Sequence, residues 1–139
     1  MLMGEHRHNM DVKGRVTMPS RFREELGEKF YVVEGFEECL FVLSEEGLKK
    51  IHEAFSQANL VDAFDADRDL FPGGTEVEPD KQGRILLPPP LREYAGLTKD
   101  VTVIGAGERA EIWDSERWKT YKSGRSREHL KALLRNIPR

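Results

Sequence analysis

The sequence predicts an α+β fold in which two copies of one strand-rich unit share a core. Three observations lead there. The stretch DVKGRVTMP at Asp11–Pro19 returns as DKQGRILLP at Asp80–Pro88, at a constant offset of 69 positions. Each copy is followed by two short apolar runs of strand character, FYVVEG and CLFVLS in the first half, DVTVIG and AEIWDS in the second. Each half then continues into a helix-like stretch headed by an N-cap residue. Internal duplication is the dominant organisational signal.

The elements follow in order. A strand carrying His6 and His8 leads to a turn, where the Asp11 carboxylate can accept hydrogen bonds from backbone N–H groups two or three residues on. Gly14, and Gly83 in the second copy, supply the positive φ that a hairpin turn requires. Arg15 and Arg84 begin the outgoing strands RVTM and RILL. Pro19 and Pro88-Pro89-Pro90 end those strands and open a short helix, which Gly27 or Gly96 stops. After the two apolar strands, Ser44 caps the stretch SEEGLKKIHEAFSQANL and Asp114 caps DSERWKTYKS. The predicted bounds are a first repeat over 1–60, an acidic linker or helix over 61–73, a second repeat over 74–122 and a basic tail over 123–139. A unit with so small a sheet buries too little apolar surface alone, so two interleaved units must bury one core.

Composition narrows the function. With 139 residues, 38% hydrophobic and 34% charged, the chain has an ordinary globular make-up. It carries no apolar run long enough for a bilayer and no signal-peptide core, which leads to the expectation of a cytoplasmic protein without a membrane partner. Cys39 is the only cysteine, which rules out an internal disulfide or a multi-cysteine metal site. The net charge is −3, but it is unevenly spread. Glu34 to Asp80 is acidic, whereas Arg117 to Arg139 holds eight basic residues against Glu128 alone. Contact with a polyanion must therefore be focused on particular loops or on the tail.

The start MGEHRHNMDVKGRVTMPSRFRE and the later GTEVEPDKQGRILLPPPLREYAGLTKDVTVIGAGERAEIWD resemble the MraZ family of tandem SpoVT-AbrB (AbrB-like) domains. The resemblance covers nearly the whole chain and rests on Asp-x-x-x-Arg occurring twice in register, as Asp11/Arg15 and Asp80/Arg84. It implies two AbrB-like swapped-hairpin repeats forming an intramolecular pseudo-dimeric small β-barrel with flanking helices. It further implies a nucleoid-associated transcription regulator that forms ring-shaped homo-oligomers. Its double-stranded DNA target would be G-rich direct repeats upstream of a division and cell-wall gene cluster. In two respects the chain departs from this pattern: the linker NLVDAFDADRDLFPGG is rich in aspartate and keeps only Arg68, where the family leads one to expect arginines, and the basic C-terminal tail lies outside the repeats, so the resemblance assigns it no role.

The repeated turn suits DNA chemically. An arginine at a strand start can donate two hydrogen bonds to guanine O6 and N7, a contact contributing roughly 1–3 kcal/mol of base discrimination. Arg15 and Arg84 are the candidate base readers. Asp11 and Asp80 are candidates to brace the turns, to orient those arginines or to accept from a cytosine amino group, with bracing the favoured role, and Arg7, Lys13, Arg21, Arg23 and Arg92 are candidate phosphate contacts. Spacing alone favours local ion pairs clamping a turn, and it is the duplication and the resemblance that reverse this for Arg15 and Arg84; Arg23 and Arg92, each followed by Glu, equally fit a helix surface.

Other chemistries are less well supported. Asp65, Asp67, Asp69 and Glu76 match positions of a calcium loop, but Leu70 stands where the sharp turn needs glycine. His6 and His8 share a strand face without further ligands to complete a zinc site. Cys39 lies in the apolar run CLFVL, where burial makes a thiol inert. No catalytic residue, metal, cofactor or small-molecule substrate is expected. The alternative function is that of an AbrB-fold antitoxin whose tail wraps a partner protein, since Leu130, Leu133, Leu134 and Ile137 recur at helical spacing.

Overall fold

Proline chemistry opens the two short helices, and the rest of each repeat follows the predicted order. The computed structural model describes residues 1–137, so the tail residues Pro138 and Arg139 lie outside the described residues. The first half runs β1 (Glu5–Asn9), β2 (Arg15–Thr17), α1 (Ser20–Leu26), β3 (Phe30–Glu34), β4 (Leu40–Leu43), α2 (Glu45–Ser56) and α3 (Leu60–Leu70). The second runs β5 (Thr75–Val77), β6 (Arg84–Leu86), α4 (Pro89–Ala95), β7 (Asp100–Gly105), β8 (Ala110–Asp114), α5 (Ser115–Ser123) and α6 (Arg127–Leu134). Pro19 and Pro88 precede the first turns of α1 and α4, where a missing N–H costs nothing. The Ser44 hydroxyl accepts from the Gly47 N–H and the Asp114 carboxylate from the Arg117 N–H, so both predicted caps operate.

The pairing crosses between the halves. Six strands form an antiparallel sheet in the order β1-β7-β8-β4-β3-β5, and β2 pairs with β6 in a separate ribbon. The first strand of each repeat therefore lies beside the third strand of the other: β1 on β7, β5 on β3. Among the described residues β1 and β5 do not pair with each other.

The six-stranded sheet is covered on both faces. On one, Val32, Val42, Val103 and Ile112 meet Val16 and Ile85 of the ribbon and Phe22 and Leu91 of the short helices. On the other, Val33, Phe41, Leu43 and Trp113 meet Leu48, Ile51 and Phe55 of α2, Leu70 of α3, and Trp118 and Tyr121 of α5. Neighbouring residues such as Val32 and Val33 serve opposite cores, because side chains alternate along a strand. This explains why CLFVL reads as a continuous apolar run rather than an alternation.

Two local readings change. The helix expected over 44–60 ends at Ser56, because the Asn59 side chain accepts from the Asp62 N–H at 2.9 Å and starts α3. The Asp-x-x-Gly-Arg turn is tight, as predicted, but the strands it joins do not pair with each other. After the turn the chain leaves the large sheet for the ribbon, because Val16 and Ile85 must reach the core beneath it.

Candidate nucleic-acid interface

The two turns are near copies at the level of single hydrogen bonds. Asp11 Oδ1 accepts from the Lys13 N–H at 3.0 Å and the Arg15 N–H at 2.8 Å, and Oδ2 accepts from Arg15 Nε at 2.6 Å. Asp80 Oδ1 accepts from the Gln82 and Arg84 N–H groups, both at 2.9 Å, and Oδ2 from Arg84 Nε at 3.0 Å. Each Asp carbonyl also accepts from the turn glycine, Gly14 at 3.0 Å and Gly83 at 2.9 Å. These glycines have φ of 89° and 79°, in the region that disfavours a Cβ. The backbone N–H of Arg15, assisted by its side chain and charge, holds the Asp11 carboxyl below the usual carboxylate range. The Arg84 N–H does the same for Asp80. Both aspartates are therefore ionised, acceptor-only braces at neutral pH.

The ribbon register sets what faces outward. Val16 sits opposite Ile85, and both are fully buried. Their neighbours Arg15, Thr17, Arg84 and Leu86 consequently share the opposite face. Arg84 Nη1 also lies 3.8 Å from Asp11 Oδ2, so one carboxylate sits between both arginines. The four charged side chains are between 30% and 37% exposed: oriented, yet reachable. A two-stranded ribbon of this kind fits the major groove of duplex DNA.

The family model described as "MraZ protein, putative antitoxin-like" matches twice, over residues 1–69 and 70–136. The chain is 51% identical to the transcriptional regulator MraZ of Carboxydothermus hydrogenoformans, over 89% of this chain and 88% of that one. It is 50% identical to the transcriptional regulator MraZ of Heliobacterium modesticaldum, and 48% to that of Acetivibrio thermocellus, each over 87% of this chain and 86% of the other. The chain belongs to the MraZ family. Family members with this name are regulators of transcription and not enzymes.

In this chain each repeat supports the other's turn. The Met18 N–H donates to the Gly83 carbonyl and the Leu87 N–H to the Gly14 carbonyl, both at 2.9 Å. Arg92 Nε donates to the Leu87 carbonyl at 2.9 Å, and its guanidinium carbon lies 2.7 Å from where a Cβ on Gly14 would stand. Arg23 repeats this from the other side, donating to the Met18 carbonyl at 3.1 Å and lying against Gly83. Arg23 and Arg92 thus back the turns rather than project from them.

The remaining predicted cations are dispersed. Lys13 is exposed at the tip of the first turn, beside a fully exposed Val12. Arg7 is exposed on β1 opposite Thr102, the residue bonded to Ser115 of α5, and so faces away from the ribbon. Arg21 is exposed on α1 near the N-terminal residues Met1 and Met3. Two residues were missed at the sequence level. Lys81 is exposed at the tip of the second turn, and Leu86 is 57% exposed beside Arg15. The outward parity of RILL, with Ile85 inward, was the signal for Leu86; Lys81 is one position out of register with Lys13.

The weaker readings resolve too. Asp65, Asp67 and Asp69 lie on helix α3, with Asp65 paired to Arg68 and Asp67 to His52, so no calcium loop forms there. Among the described residues no group of three or more His, Cys, Asp or Glu could hold a metal ion. Cys39 is buried and its Sγ donates to the Phe36 carbonyl at 3.0 Å; burial pushes the thiol far up, away from thiolate chemistry.

Proposed function

We propose that the chain is a sequence-specific DNA-binding transcription regulator that reads duplex DNA with the outward face of the β2–β6 ribbon. The observation that carries this is the pair of Asp-braced arginines, Arg15 and Arg84, on one exposed face above Val16 and Ile85. A carboxylate that fixes the Nε–H of each arginine leaves the other guanidinium donors to meet guanine O6 and N7. Lys13 supplies a phosphate contact at one turn tip and Arg21 a weaker one from the flank, whereas Arg7, which faces away from the ribbon, adds none to a duplex held there. Arg23 and Arg92 act by holding the turns.

Family membership supports the finer reading: swapped-hairpin units over 1–60 and 74–122, self-association into a ring in the cytoplasm at the nucleoid, and a G-rich target. That target is direct repeats upstream of a division and cell-wall gene cluster. A single chain offers two turns, a small reading surface. A ring places many ribbons along one duplex, so the second contact is intramolecular and adds roughly 100- to 10,000-fold when spacing fits.

The test is a binding assay with the DNA upstream of the chain's own gene and with synthetic duplexes of one, two and three G-rich repeats. Affinity should climb steeply with repeat number and collapse when half-turn spacers are inserted. Equal affinity for all three duplexes, or for G-rich and scrambled sequences, would overturn the reading.

A further inference from the structure

Helix α6 carries an apolar face that nothing among the described residues covers. Leu130, Leu133, Leu134 and Ile137 are each about half or more exposed, between 48% and 63%. Their i, i+3, i+4, i+7 spacing puts them on one side. The flank is cationic, with Arg125, Arg127, Lys131 and Arg135 against Glu128. At the other end of the sheet lies a groove of about 510 Å³. Phe36, 61% exposed, and Phe55 contribute its apolar wall, and Glu34, Asp62, Asp65 and Asp69 contribute an acidic one. A cationic amphipathic helix and an acidic-rimmed apolar groove are complementary in both charge and polarity.

The two do not meet within the described chain, where the α6 leucines stay exposed and none of them lines the groove. Helix α5 ends beside β1, where Lys122 Nζ lies 2.9 Å from Glu5. The groove adjoins the end of β3, four strands away in the sheet order, a separation of about 19 Å. Donor and acceptor therefore stand at opposite edges of the molecule, as a head-to-tail contact between copies requires. We propose that α6 of one copy docks into the α2–α3 groove of the next, with Leu130 and Leu134 against Phe36 and Phe55 and with Lys131 and Arg135 facing Asp65 and Asp69. This rests on the self-association reading above and names the surface responsible.

Light scattering on full-length protein tests it with two variants at exposed positions, both checked by circular dichroism. The donor variant is Leu130→Glu/Leu134→Glu and the acceptor variant is Asp65→Lys/Asp69→Lys. Wild type should run as an oligomer and each variant as a single chain. Their mixture should form a two-chain complex, because the donor variant keeps a sound groove and the acceptor variant a sound α6. A fluorescent peptide of residues 125–139 should bind the donor variant at least about tenfold more tightly than the acceptor variant. If wild type is an oligomer and both variants keep its mass, the inference falls while self-association stands. If wild type is itself a single chain, both fall together. Variants that keep their mass but lose DNA binding, or lose a co-purifying second protein, would assign α6 to phosphate or to a different partner and likewise overturn it.

Discussion

Arg15 and Arg84 are held by short, charge-assisted bonds, yet each ion pair is partly exposed and local. Such pairs contribute only about 0.2–1 kcal/mol to stability, whereas a bidentate guanine contact contributes roughly 1–3 kcal/mol to discrimination. Arg15→Ala or Arg84→Ala should therefore cut specific DNA binding about tenfold or more in a mobility-shift titration and move the melting temperature little. A variant that loses folded structure, while its remaining folded fraction binds normally, would make these arginines structural clamps. The turn glycines behave oppositely. Gly14→Ala puts a Cβ on a backbone at φ 89° and presses it onto the Arg92 guanidinium. Denaturant unfolding should show a loss of roughly 1–2 kcal/mol from the backbone conformation alone. Adding Arg92→Ala should recover the part due to the clash and leave the part due to φ. The turn chemistry was legible in the residues themselves, because an Asx brace and a positive-φ glycine are local. The backing role of Arg23 and Arg92 was not, because each acts on the turn of the other repeat.

The turns and the edge strand β1 respond to acid in separate windows. Hydrogen bonds from Arg15 and Arg84 depress the Asp11 and Asp80 carboxyls, so the stability they contribute is complete above about pH 3.9 and is lost as pH falls through their lowered values. His8 on β1 lies over the core beside Val101, and its Nε2 is buried with no hydrogen-bond partner among the described residues. Burial, with the neighbouring His6, pushes its imidazole below the usual value. The neutral form is the one the fold prefers, so its contribution is complete above about pH 6.5 and declines as pH falls below that. The melting temperature should accordingly fall in two stages on acidification. His8→Phe should remove the first stage only, and Asp11→Asn with Asp80→Asn should shrink the second. A single stage, unchanged by His8→Phe, would refute the assignment. At this level the caps at Ser44 and Asp114 were readable in advance, but the start of α3 at Asn59 was not. The sequence Gln57–Asn59 carries no breaker stronger than the cap itself.

Strand exchange makes each half incomplete. A chain ending at Phe71 would leave β1 without β7, β2 without β6 and β3 without β5. Neither 1–71 nor 72–139 should unfold cooperatively as a monomer, whereas an equimolar mixture should regain the far-ultraviolet spectrum and a sharp melt that depends on concentration. Cooperative, concentration-independent melting of 1–71 alone would contradict a shared core. The acidic α3, read from the sequence as a linker or helix, lies in this architecture on the sheet face away from the ribbon. Its aspartates therefore stand clear of the surface proposed to meet phosphate, which is how a chain of net charge −3 can present a DNA-reading face.

The sequence by itself determined the duplication, the two braced turns, the helix caps and the need for one repeat to complete the other. Each of these is written in residues within a few positions of one another or in a repeat offset that any alignment of the chain with itself reveals. Only the tertiary structure decided that β2 leaves its own hairpin to pair with β6, and that Arg15, Thr17, Arg84 and Leu86 share one face. It alone placed Arg23 and Arg92 behind the opposite turns, Arg7 on the sheet face away from the ribbon, and Arg21 beside the N-terminal residues. The physical reason is that three-residue strands carry too few side chains to specify a partner by pattern. Their pairing is chosen by where Val16 and Ile85 can be buried, and that depends on the whole core.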